Sequence, residues 1–462
     1  MSRGGSGGEE SAYDLVVLGA GSAGYACALR ASQLGLRVAL VERDKIGGTC
    51  LHRGCIPTKA MLHAAEVADT ARAASHVGVD LGTPRVDLGR VAAYRQGVVD
   101  RLYAGLTGLV TSRPIDVVTG EGRVVDAGTI AVGDRMLRGR HLLLATGSVV
   151  KTLPFVTLGR RVVTSDGALA LKGVPERVVV LGGGVIGVEF ASVFCSFGSQ
   201  VTIVEALPRL VAAEDEAVSK ALQRAFRQRR IGMVLGASVT AVTESADEVE
   251  VAVEGRESLR ADLVLVAVGR GPAPVPGIET LGVAMAGAHV AVDGLGRTSV
   301  PGVYAAGDLV PGLQLAHRGF AQGIVVAEDI AGLTPAPVVD ERVPRVTYCD
   351  PEIGSVGLTE AAARERYGEV ETVEYNLAGN GKSQILGTKG FVKLVRAAGG
   401  PIVGVHLVGA RMGEQIGEAQ LLVDWEAFPE DVAPLLHAHP TQNEALGEAA
   451  LALAGKPLHS HG

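Results

Sequence analysis

The sequence predicts an α/β protein with two Rossmann-like dinucleotide-binding domains, followed by a C-terminal mixed α+β domain. The chain has 462 residues, enough for roughly two to four domains with a sizeable core. Apolar residues make up 47% of it and charged residues 20%, which is typical of a globular protein. Glycine is unusually frequent, at 63 residues, and several of these glycines fall in two similar segments. Those segments carry most of the prediction.

Charge and hydropathy exclude two broad classes. The net charge of −7 gives no basic field that would attract a nucleic acid. The longest uncharged stretches, residues 15–29 and 190–204, are shorter than the roughly 18–20 residues of a membrane span. Residues 1–12 are glycine-rich without an apolar core, which is typical of a flexible tail and not of a signal peptide. Five cysteines are too few for a secreted disulfide framework, which favours a cytoplasmic protein. From the charge and the short apolar stretches we expect no nucleic-acid or membrane partners.

Residues 14–42 form the first glycine-rich segment, DLVVLGAGSAGYACALRASQLGLRVALVE. An apolar strand leads into a glycine turn, a helix follows, and a second apolar strand ends in an acid. Residues 177–205, RVVVLGGGVIGVEFASVFCSFGSQVTIVE, repeat this plan. The repeat aligns Gly19 with Gly182, Gly21 with Gly184, Gly24 with Gly187, Gly35 with Gly198 and Glu42 with Glu205.

A G-x-G-x-x-G motif alone indicates only a tight turn that lets a helix pack on a strand. Here each copy follows a strand, opens a helix and precedes an acid at the same spacing, which favours two dinucleotide sites. The glycines let the backbone approach a pyrophosphate at the helix N-terminus, and the acid accepts ribose hydroxyls. Glu205 would repel a 2′-phosphate, and Arg209 is the only nearby cation in the sequence. The second site is therefore predicted to prefer NAD over NADP.

Three later segments combine an apolar strand with a glycine turn: HLLLATGS (141–148), LVLVAVGR (263–270) and GVYAAGD (302–308). Each could be only a strand end, but their positions suggest crossings between domains. Asp308 would then lie at the carboxyl end of a strand, where α/β sheets bind ligands.

The dinucleotide motifs stop near residue 346. GFVKLVRAAGGPIVGVHLVG (390–409) has the pattern of a hairpin, and helical segments follow it. We therefore expect a separate mixed domain. The predicted domains are a tail (1–12), a first dinucleotide-binding domain with a cysteine pair (13–150), a second (151–271), a return to the first or central domain (272–345) and a C-terminal domain (346–462).

Cys50 and Cys55 lie in GGTCLHRGCIPTK, shortly after Glu42. Pro57 fits the first turn of a following helix, whose dipole would stabilise a thiolate. A structural zinc site with His52 would lack a second ligand pair, and two inert buried cysteines are another alternative. A redox disulfide beside a bound cofactor is favoured. Since NADH delivers a hydride and a disulfide accepts two electrons, a flavin should mediate, with FAD at the first site and NAD at the second.

Thiol–disulfide exchange also requires a proton carrier. The segment LLHAHPTQNEAL (435–446) places His437 and His439 before a helix predicted to begin near Thr441, with Glu444 in its first turn. A histidine and a carboxylate in this arrangement could form a base and its orienting group. The alternative is a helix cap on the surface.

GGTCLHRGCIPTK, both glycine motifs, ATGS, VYAAGD and HAHPTQNE together resemble the disulfide-containing, pyridine nucleotide-dependent flavoprotein reductases. The resemblance covers essentially the whole chain after the first dozen residues. It is greatest to the members that oxidise dihydrolipoamide. The cysteine segment and the HAHPT segment are its most specific elements, because they are unrelated in position and in chemistry.

The resemblance implies roles for particular residues. Cys50 would exchange with the dithiol substrate, and Cys55 would lie against the flavin as the charge-transfer thiolate. Lys59 would be held near the flavin and paired with Glu189, although alone it is typical of a solvated helix. His439, oriented by Glu444, would act as acid and base on the disulfide of the other subunit, which implies a homodimer. Flavin-contacting positions would be Gly19, Gly21, Gly24, Glu42, Thr49, Lys59, Gly122, Thr146, Gly147, Ser148, Asp308, Gln314, Leu315, Ala316 and His317; NAD-contacting positions would be Gly182, Gly184, Gly187, Glu189, Glu205, Val239 and Gly269.

The resemblance thus implies FAD-dependent oxidation of protein-bound dihydrolipoamide with reduction of NAD to NADH, and no metal. Its partners would be the lipoyl domains of 2-oxo acid dehydrogenase or glycine cleavage systems. Reduction of glutathione or mycothiol disulfide or of mercuric ion is an alternative, as is a non-catalytic nucleotide-binding redox sensor. His52, Arg53, Gln442 and Asn443 depart from the common pattern, and we expect them to alter the mouth of the site.

Overall fold

The structure is a computed structural model that describes residues 12–459. The predicted tail, residues 1–12, lies outside the described residues except for Ala12. Two compact units are present. The first contains residues 12–56, 97–150 and 270–340, and the second contains residues 57–96, 151–269 and 341–459. The domain boundaries expected from the sequence stay predictions.

The described residues form strands and α-helices throughout the chain. The strands are β1 (Tyr13–Leu18), β2 (Val38–Glu42), β3 (Ile115–Thr119), β4 (Gly122–Asp126), β5 (Thr129–Val132), β6 (Arg135–Leu144), β7 (Ser148–Val150), β8 (Val162–Val163), β9 (Arg177–Leu181), β10 (Gln200–Glu205), β11 (Gly232–Leu235), β12 (Val239–Glu244), β13 (Val249–Val253), β14 (Leu259–Ala261), β15 (Leu263–Val266), β16 (Arg270–Pro272), β17 (Met285–Ala286), β18 (His289–Val290), β19 (Val303–Ala305), β20 (Arg345–Thr347), β21 (Glu352–Gly357), β22 (Val370–Asn376), β23 (Phe391–Ala397) and β24 (Ile402–Gly409). The helices are α1 (Ser22–Gln33), α2 (Gly48–His52), α3 (Cys55–Ala73), α4 (Leu88–Thr111), α5 (Ser165–Leu169), α6 (Val185–Phe197), α7 (Glu216–Gln228), α8 (Ala316–Ile330), α9 (Glu360–Tyr367), α10 (Gly381–Leu386), α11 (Met412–Asp424), α12 (Pro429–Val432) and α13 (Glu444–Leu453).

The first unit is built on a seven-stranded sheet in the order β3-β2-β1-β6-β5-β4, with β19 also paired to β6. Strands β1, β2, β3, β6 and β19 are parallel neighbours. The central strand β1 is buried because its side chains are apolar on both faces, as parallel sheets require. The carboxyl ends of β1, β2, β6 and β19 therefore share one edge, which carries the predicted ligand residues.

The second unit contains a parallel sheet in the order β11-β10-β9-β15-β8. Its central order repeats that of the first unit: the strand after each glycine turn lies on one side of the first strand, and a later strand lies on the other. Strand β15 thus corresponds to β6. The duplication predicted from the sequence is confirmed as a duplicated topology.

The C-terminal part of the second unit is an antiparallel sheet in the order β20-β21-β24-β23-β22. Strands β23 and β24 form the predicted hairpin, and helices α11 and α13 pack on this sheet. The last helix begins at Glu444 and not near Thr441. Residues 441–443 precede this helix, and the Thr441 N–H donates to the Glu444 carboxylate.

Between residues 12 and 459, no helix has both the length and the hydropathy needed to cross a membrane. The same part of the chain contains no cluster of three or more metal-ligating side chains.

Candidate active site

The first glycine turn brings backbone atoms into close contact. Gly19 has φ of +101°, and a Cβ there would lie 2.4 Å from the Ala145 carbonyl oxygen. A Cβ on Gly24 would lie 1.8 Å from the Gly19 carbonyl oxygen, so α1 approaches the turn more closely than any side chain allows. The Glu42 carboxylate accepts a hydrogen bond of 2.8 Å from the Ala20 N–H. Glu42 thus reaches from the end of β2 to the turn.

The second turn repeats these contacts almost atom for atom. Gly182 has φ of +106°, and its Cβ would lie 2.4 Å from the Ala267 carbonyl oxygen. A Cβ on Gly187 would lie 1.9 Å from the Gly182 carbonyl oxygen. The Glu205 carboxylate accepts from the Gly183 N–H at 2.6 Å. Both turns therefore have the geometry of a dinucleotide-binding turn.

Arg209 follows Glu205 but does not offer a cation to a ligand at this turn. Its guanidinium donates to the carbonyl oxygens of Ala212 and Glu214 and to the Ser219 hydroxyl, at 2.6–2.8 Å. These internal bonds use the group that could have neutralised a 2′-phosphate. The geometry thus agrees with the preference for NAD predicted from Glu205.

A cavity of about 230 Å³ lies beside the first turn. Gly19, Glu42, Gly122 and Thr146 line it. The Thr146 hydroxyl is buried and has no hydrogen-bond partner among the described residues. A buried hydroxyl without a partner is costly, so the cavity is suited to a polar ligand that supplies one. The adenosine part of a dinucleotide fits this requirement.

The carboxyl ends of β6 and β19 meet at a polar cluster. The Ser148 hydroxyl donates to the Asp308 carboxylate at 2.5 Å. Arg270 donates to the Ser148 hydroxyl and to its carbonyl oxygen, both at 2.8 Å. Asp308 is thereby held at the predicted sheet edge, in the same unit as the first turn.

Cys50 lies in the short helix α2, and Cys55 is the first residue of α3. Both are partly buried. Gly54 separates the two helices, and a Cβ there would lie 3.1 Å from the Thr49 carbonyl oxygen. The chain thus passes close to α2 between the two cysteines, and a larger residue at position 54 would be tightly packed there.

The cysteine segment rests directly on the first glycine turn. The Gly47 N–H donates to the Ala20 carbonyl oxygen at 2.8 Å. Gly48 has φ of +58°, and a Cβ on it would lie 2.8 Å from the Gly21 Cα. The two glycines before Cys50 thus allow its helix to touch the dinucleotide turn, which brings the thiol to whatever that turn binds.

The other three cysteines lack the environment of a reactive thiol. Cys27 and Cys349 are fully buried, and burial raises the pKa of each thiol well above its ordinary value. Burial also raises the pKa of Cys195. A thiol that stays protonated is a poor nucleophile, so these three cysteines are unsuited to thiol exchange and Cys50 and Cys55 remain the candidates.

His52 and Arg53 make local contacts beside Cys50. The His52 ring bonds to the Ile46 carbonyl oxygen at 2.9 Å and meets the Tyr103 ring edge-on, 5.1 Å between centroids. Arg53 forms an exposed ion pair with Asp44. Both residues therefore brace the loop around Cys50.

In the second unit, Lys59 and Glu189 form the predicted ion pair. The Lys59 ammonium lies 2.8 Å from both carboxylate oxygens of Glu189, which is only 2% exposed. The Tyr348 N–H also donates to Glu189 at 2.9 Å, and its ring lies 4.9 Å from the Lys59 nitrogen. The buried carboxylate and the ring fix the lysine.

His439 and Glu444 form a second predicted pair. The His439 Nδ1 lies 2.7 Å from Glu444, whose other oxygen accepts from the Thr441 N–H at 2.7 Å. Partial burial opposes ionisation of Glu444, but the Thr441 N–H and the His439 ring outweigh it and keep its pKa below the ordinary value. Nδ1 of the His439 ring thus faces Glu444, and the side chain that carries Nε2 is 77% exposed.

The remaining predicted residues fall into the same two units. The first unit holds Gly19, Gly21, Gly24, Glu42, Thr49, Cys50, Cys55, Gly122, Thr146, Gly147, Ser148, Asp308, Gln314, Leu315, Ala316 and His317, the last two in the first turn of α8. The second unit holds Lys59, Gly182, Gly184, Gly187, Glu189, Glu205, Val239, Gly269, His439 and Glu444, with Val239 at the start of β12 and Gly269 just after β15.

Three residues at these sites were missed from the sequence. Tyr25 lies near Cys50, and burial together with this thiol raises the pKa of the phenol to about 12. Tyr348 covers Lys59, and Arg270 holds Ser148. Arg270 directly follows the glycine of LVLVAVGR, which is the only local signal for any of them.

Comparison with known proteins identifies a family and several relatives of this chain. Residues 13–323 match the pyridine nucleotide-disulphide oxidoreductase family, and residues 343–450 match its dimerisation domain. A dihydrolipoyl dehydrogenase of Bacillus subtilis is 38% identical, over 97% of this chain and 99% of the relative. Mitochondrial dihydrolipoyl dehydrogenase 1 of Arabidopsis thaliana is 36% identical, over 99% and 94%.

Two solved structures have the same fold. The crystal structure of LpdA from Mycobacterium tuberculosis superposes with a TM-score of 0.88 at 25% identity, covering 95% of this chain and 99% of that one. The HOCl-induced flavoprotein disulfide reductase RclA from Escherichia coli gives 0.85 at 28% identity, with coverage of 95% and 99%. The two duplicated turns, the cysteine segment and these matches agree: the chain belongs to the pyridine nucleotide-disulphide oxidoreductase family.

Proposed function

We propose that the protein oxidises protein-bound dihydrolipoamide to lipoamide and reduces NAD to NADH. The observation that carries the proposal is the contact between the cysteine segment and the first dinucleotide turn, where Gly48 lies against Gly21. A redox-active thiol pair needs a two-electron carrier close by, and this turn is where one would bind. The dihydrolipoyl dehydrogenases of bacteria and plants that resemble this chain along its whole length support the choice of substrate.

Members of this family use FAD and NAD. The first turn fits FAD, because Glu42 and the unpartnered Thr146 hydroxyl line its cavity and a Cβ on Gly19 would collide with the backbone. The second turn also has room for a pyrophosphate, because a Cβ on Gly184, like one on Gly21, would meet no described atom within 4 Å. It fits NAD because Glu205 lies at this turn and Arg209 is bonded internally. A bound flavin supplies a two-electron relay between thiols and nicotinamide.

The protein's residues carry out the thiol chemistry. The oxidised enzyme would carry a Cys50–Cys55 disulfide. One thiolate of the dithiol attacks the Cys50 sulfur, which forms a mixed disulfide and releases Cys55 as a thiolate. The second substrate sulfur then displaces Cys50, so lipoamide leaves and both cysteines are reduced. The dithiol loses two electrons and two protons. His439 accepts a thiol proton at Nε2 while Glu444 orients its ring. Lys59, held by Glu189, would supply a positive charge one helical turn beyond Cys55, and such a charge favours the thiolate form of that cysteine.

The C-terminal match to a dimerisation domain supports a homodimer. We propose that the His439–Glu444 pair of each subunit serves the cysteine pair of the other. The partner proteins would be lipoyl domains of 2-oxo acid dehydrogenase or glycine cleavage systems, in the cytoplasm.

A steady-state comparison tests the substrate. NAD reduction should be faster, in kcat/KM, with dihydrolipoamide or a reduced lipoyl domain than with dithiothreitol. NADPH-dependent reduction of glutathione disulfide should be negligible. Faster turnover of glutathione disulfide than of lipoamide would contradict the proposal, and a lack of turnover with every thiol would favour a redox sensor.

A further inference from the structure

A second histidine–carboxylate pair lies beside the first. His437 Nε2 lies 2.8 Å from the Glu418 carboxylate. The two pairs differ in exposure, because the His437 side chain is 12% exposed and that of His439 is 77% exposed. A buried histidine ring is not placed to exchange protons with a substrate. The His437–Glu418 pair therefore requires a different explanation.

The two carboxylate oxygens of Glu418 contact opposite ends of one segment of the chain. Oε1 contacts His437, and Oε2 accepts a hydrogen bond from the Asn443 side-chain amide. Between these two residues lies the segment 437–443, which carries His439. A carboxylate has two acceptor oxygens, so it can hold both ends of the segment at once.

We infer that Glu418 is a positioning residue: it clamps the segment 437–443 to helix α11 and so fixes the place of His439. This inference rests on the proposed function, in which His439 exchanges the substrate proton. Glu418 acts only through the segment, since its contacts are with His437 and Asn443 and not with the His439 ring.

The charge state of the pair supports the clamp. The contact with His437 keeps the pKa of Glu418 below its ordinary value, and Glu418 raises the pKa of His437. Hydrogen bonds to a charged group are stronger than neutral ones. The Glu418–His437 contact is therefore an ion pair at pH values between the pKa of Glu418 and that of His437.

Neighbouring contacts leave the segment little freedom. A Cβ on Gly447 would lie 2.5 Å from the His437 Nδ1, so the His437 ring rests against α13, the helix that begins with Glu444. Gln442 is 7% exposed, accepts from the Ser383 hydroxyl at 2.5 Å and donates to the Ala410 carbonyl oxygen at 2.8 Å. The segment is thus held on both sides of His439.

These contacts change the interpretation of two sequence departures. Gln442 and Asn443 were expected to alter the mouth of the site. The structure instead buries Gln442 and directs the Asn443 amide to Glu418. Polar side chains here are compatible with burial because each finds a partner in the domain.

Loss of the clamp would affect catalysis through the position of His439. A general base works within hydrogen-bond reach of the proton that it accepts, and a displacement of about 1 Å can cost roughly a hundredfold in rate. Loss of Glu418 removes one hydrogen bond at each end of the segment, while Gln442 keeps its bonds to Ser383 and Ala410. Replacement by glutamine leaves a single acceptor oxygen, which can serve His437 or Asn443 but not both.

The experiment compares four variants of the FAD-loaded dimer: Glu418→Ala, Glu418→Gln, Asn443→Ala and, as a matched control, Glu414→Gln, an exposed residue on the same helix. Turnover of dihydrolipoamide with NAD depends on His439. Reduction of ferricyanide by NADH draws electrons from the flavin and does not require that proton transfer. Comparing the two reactions separates a displaced base from a damaged fold.

We expect dihydrolipoamide turnover to fall about tenfold to a hundredfold in Glu418→Ala, and less in Glu418→Gln and Asn443→Ala. The fall should be in kcat, with KM for NAD, the ferricyanide rate and the dimer unchanged. Glu414→Gln should match the wild type. If Glu418→Ala does not fold, the two milder variants decide the question.

Equal losses in both reactions, or wild-type dihydrolipoamide turnover in all Glu418 and Asn443 variants, would overturn the inference. A parallel His439→Gln variant separates this outcome from failure of the proposed function. If His439→Gln loses turnover while the clamp variants do not, only the clamp is wrong. If His439→Gln keeps full turnover, the proposed role of His439 is wrong, and the clamp inference fails with it.

Discussion

The two dinucleotide turns share one backbone geometry but differ in the segment that comes after each acid. After Glu42 the chain returns over the first turn, where the Gly47 N–H donates to the Ala20 carbonyl oxygen at 2.8 Å. After Glu205 it returns over the second turn in the same way, and the Val211 N–H donates to the Gly183 carbonyl oxygen at 2.8 Å. The first return leads into the cysteine helix, whereas the second returns without a redox residue.

The supports behind the two turns differ as well. In the first unit α1 packs on α8, and a Cβ on Gly323 would lie 2.2 Å from the Ala23 carbonyl oxygen. In the second unit the return segment ends at Asp215, a buried carboxylate that bonds Lys393 on the C-terminal sheet at 2.8 Å. The same strand–turn–helix plan thus forms a ligand site in each unit. The segment that follows each acid gives the site its chemistry.

The largest predicted effect comes from removing the chemistry of the first return segment. Cys50→Ser should lower dihydrolipoamide turnover by about a thousandfold or more, because no Cys50–Cys55 disulfide can form to accept the two electrons of the dithiol. FAD content and the NADH–ferricyanide rate should stay near wild type. Cys195→Ser, at a partly buried cysteine outside the turns, is the control and should be neutral. Full dithiol:NAD activity in Cys50→Ser would refute the mechanism.

The next effect distinguishes the two turns as separate sites. Gly182→Ala places a side chain at φ of +106° and 2.4 Å from a carbonyl oxygen, so KM for NAD should rise by about tenfold or more. FAD should remain bound. Gly19→Ala, with the equivalent clash in the first turn, should instead lose FAD.

Gly173→Ala is the matched control, because a Cβ there meets no described atom within 4 Å. It should leave both ligands unaffected. Loss of FAD in Gly182→Ala with NAD affinity intact would show that the two sites are assigned the wrong way round.

A smaller effect concerns the two acids. Glu205→Gln should reduce the preference for NAD over NADP by about tenfold, since an amide does not repel a 2′-phosphate. Glu42→Gln should leave this preference unchanged and weaken FAD binding. The ratio of kcat/KM for the two nicotinamide cofactors measures the effect. An unchanged ratio in Glu205→Gln would place the source of discrimination elsewhere.

The smallest effect is on stability. Burial opposes ionisation of Asp215, but Lys393 and the Glu360 N–H outweigh it and lower its pKa. A lowered pKa stabilises the fold above the unfolded value of about 3.9, and this contribution is lost as the pH falls through the folded value.

Asp215→Asn should therefore unfold at a lower temperature than the wild type at pH 7, by about 1 °C for each kcal/mol lost in a chain of 462 residues. The difference should shrink below about pH 4. Thermal unfolding at several pH values measures it, with the exposed Asp166→Asn as control. A gap that stays constant down to pH 3 would rule out ionisation of Asp215 as its source.

The sequence predicted the parts of the site that depend on local spacing. Both turns, the acid at the end of each second strand and the Cys50–Cys55 segment are encoded within short stretches, so their geometry follows from strand, turn and helix rules. The pairing of His439 with Glu444 is also local, because the two residues are five positions apart. The position of Asp308 could be predicted because parallel strands share their carboxyl edge.

The parts that were missed depend on contacts between distant segments. Tyr348 reaches Lys59 across almost 300 residues, and Glu418 on helix α11 reaches His437 in the loop before α13. No local pattern distinguishes these side chains from surface residues. Gln442 was misinterpreted for a related reason, because a glutamine is usually exposed unless partners such as Ser383 and the Ala410 carbonyl are available.

The central claim is that the cysteine pair exchanges electrons with a flavin at the first turn. Stopped-flow mixing of the oxidised FAD-loaded enzyme with dihydrolipoamide tests it most directly. We predict a long-wavelength thiolate–flavin absorbance band, followed by NADH formation when NAD is added. Cys55→Ser should not form the band. NADH formation from dihydrolipoamide in Cys55→Ser at the wild-type rate, or reduction of the wild-type flavin with the cysteines still oxidised, would contradict the claim.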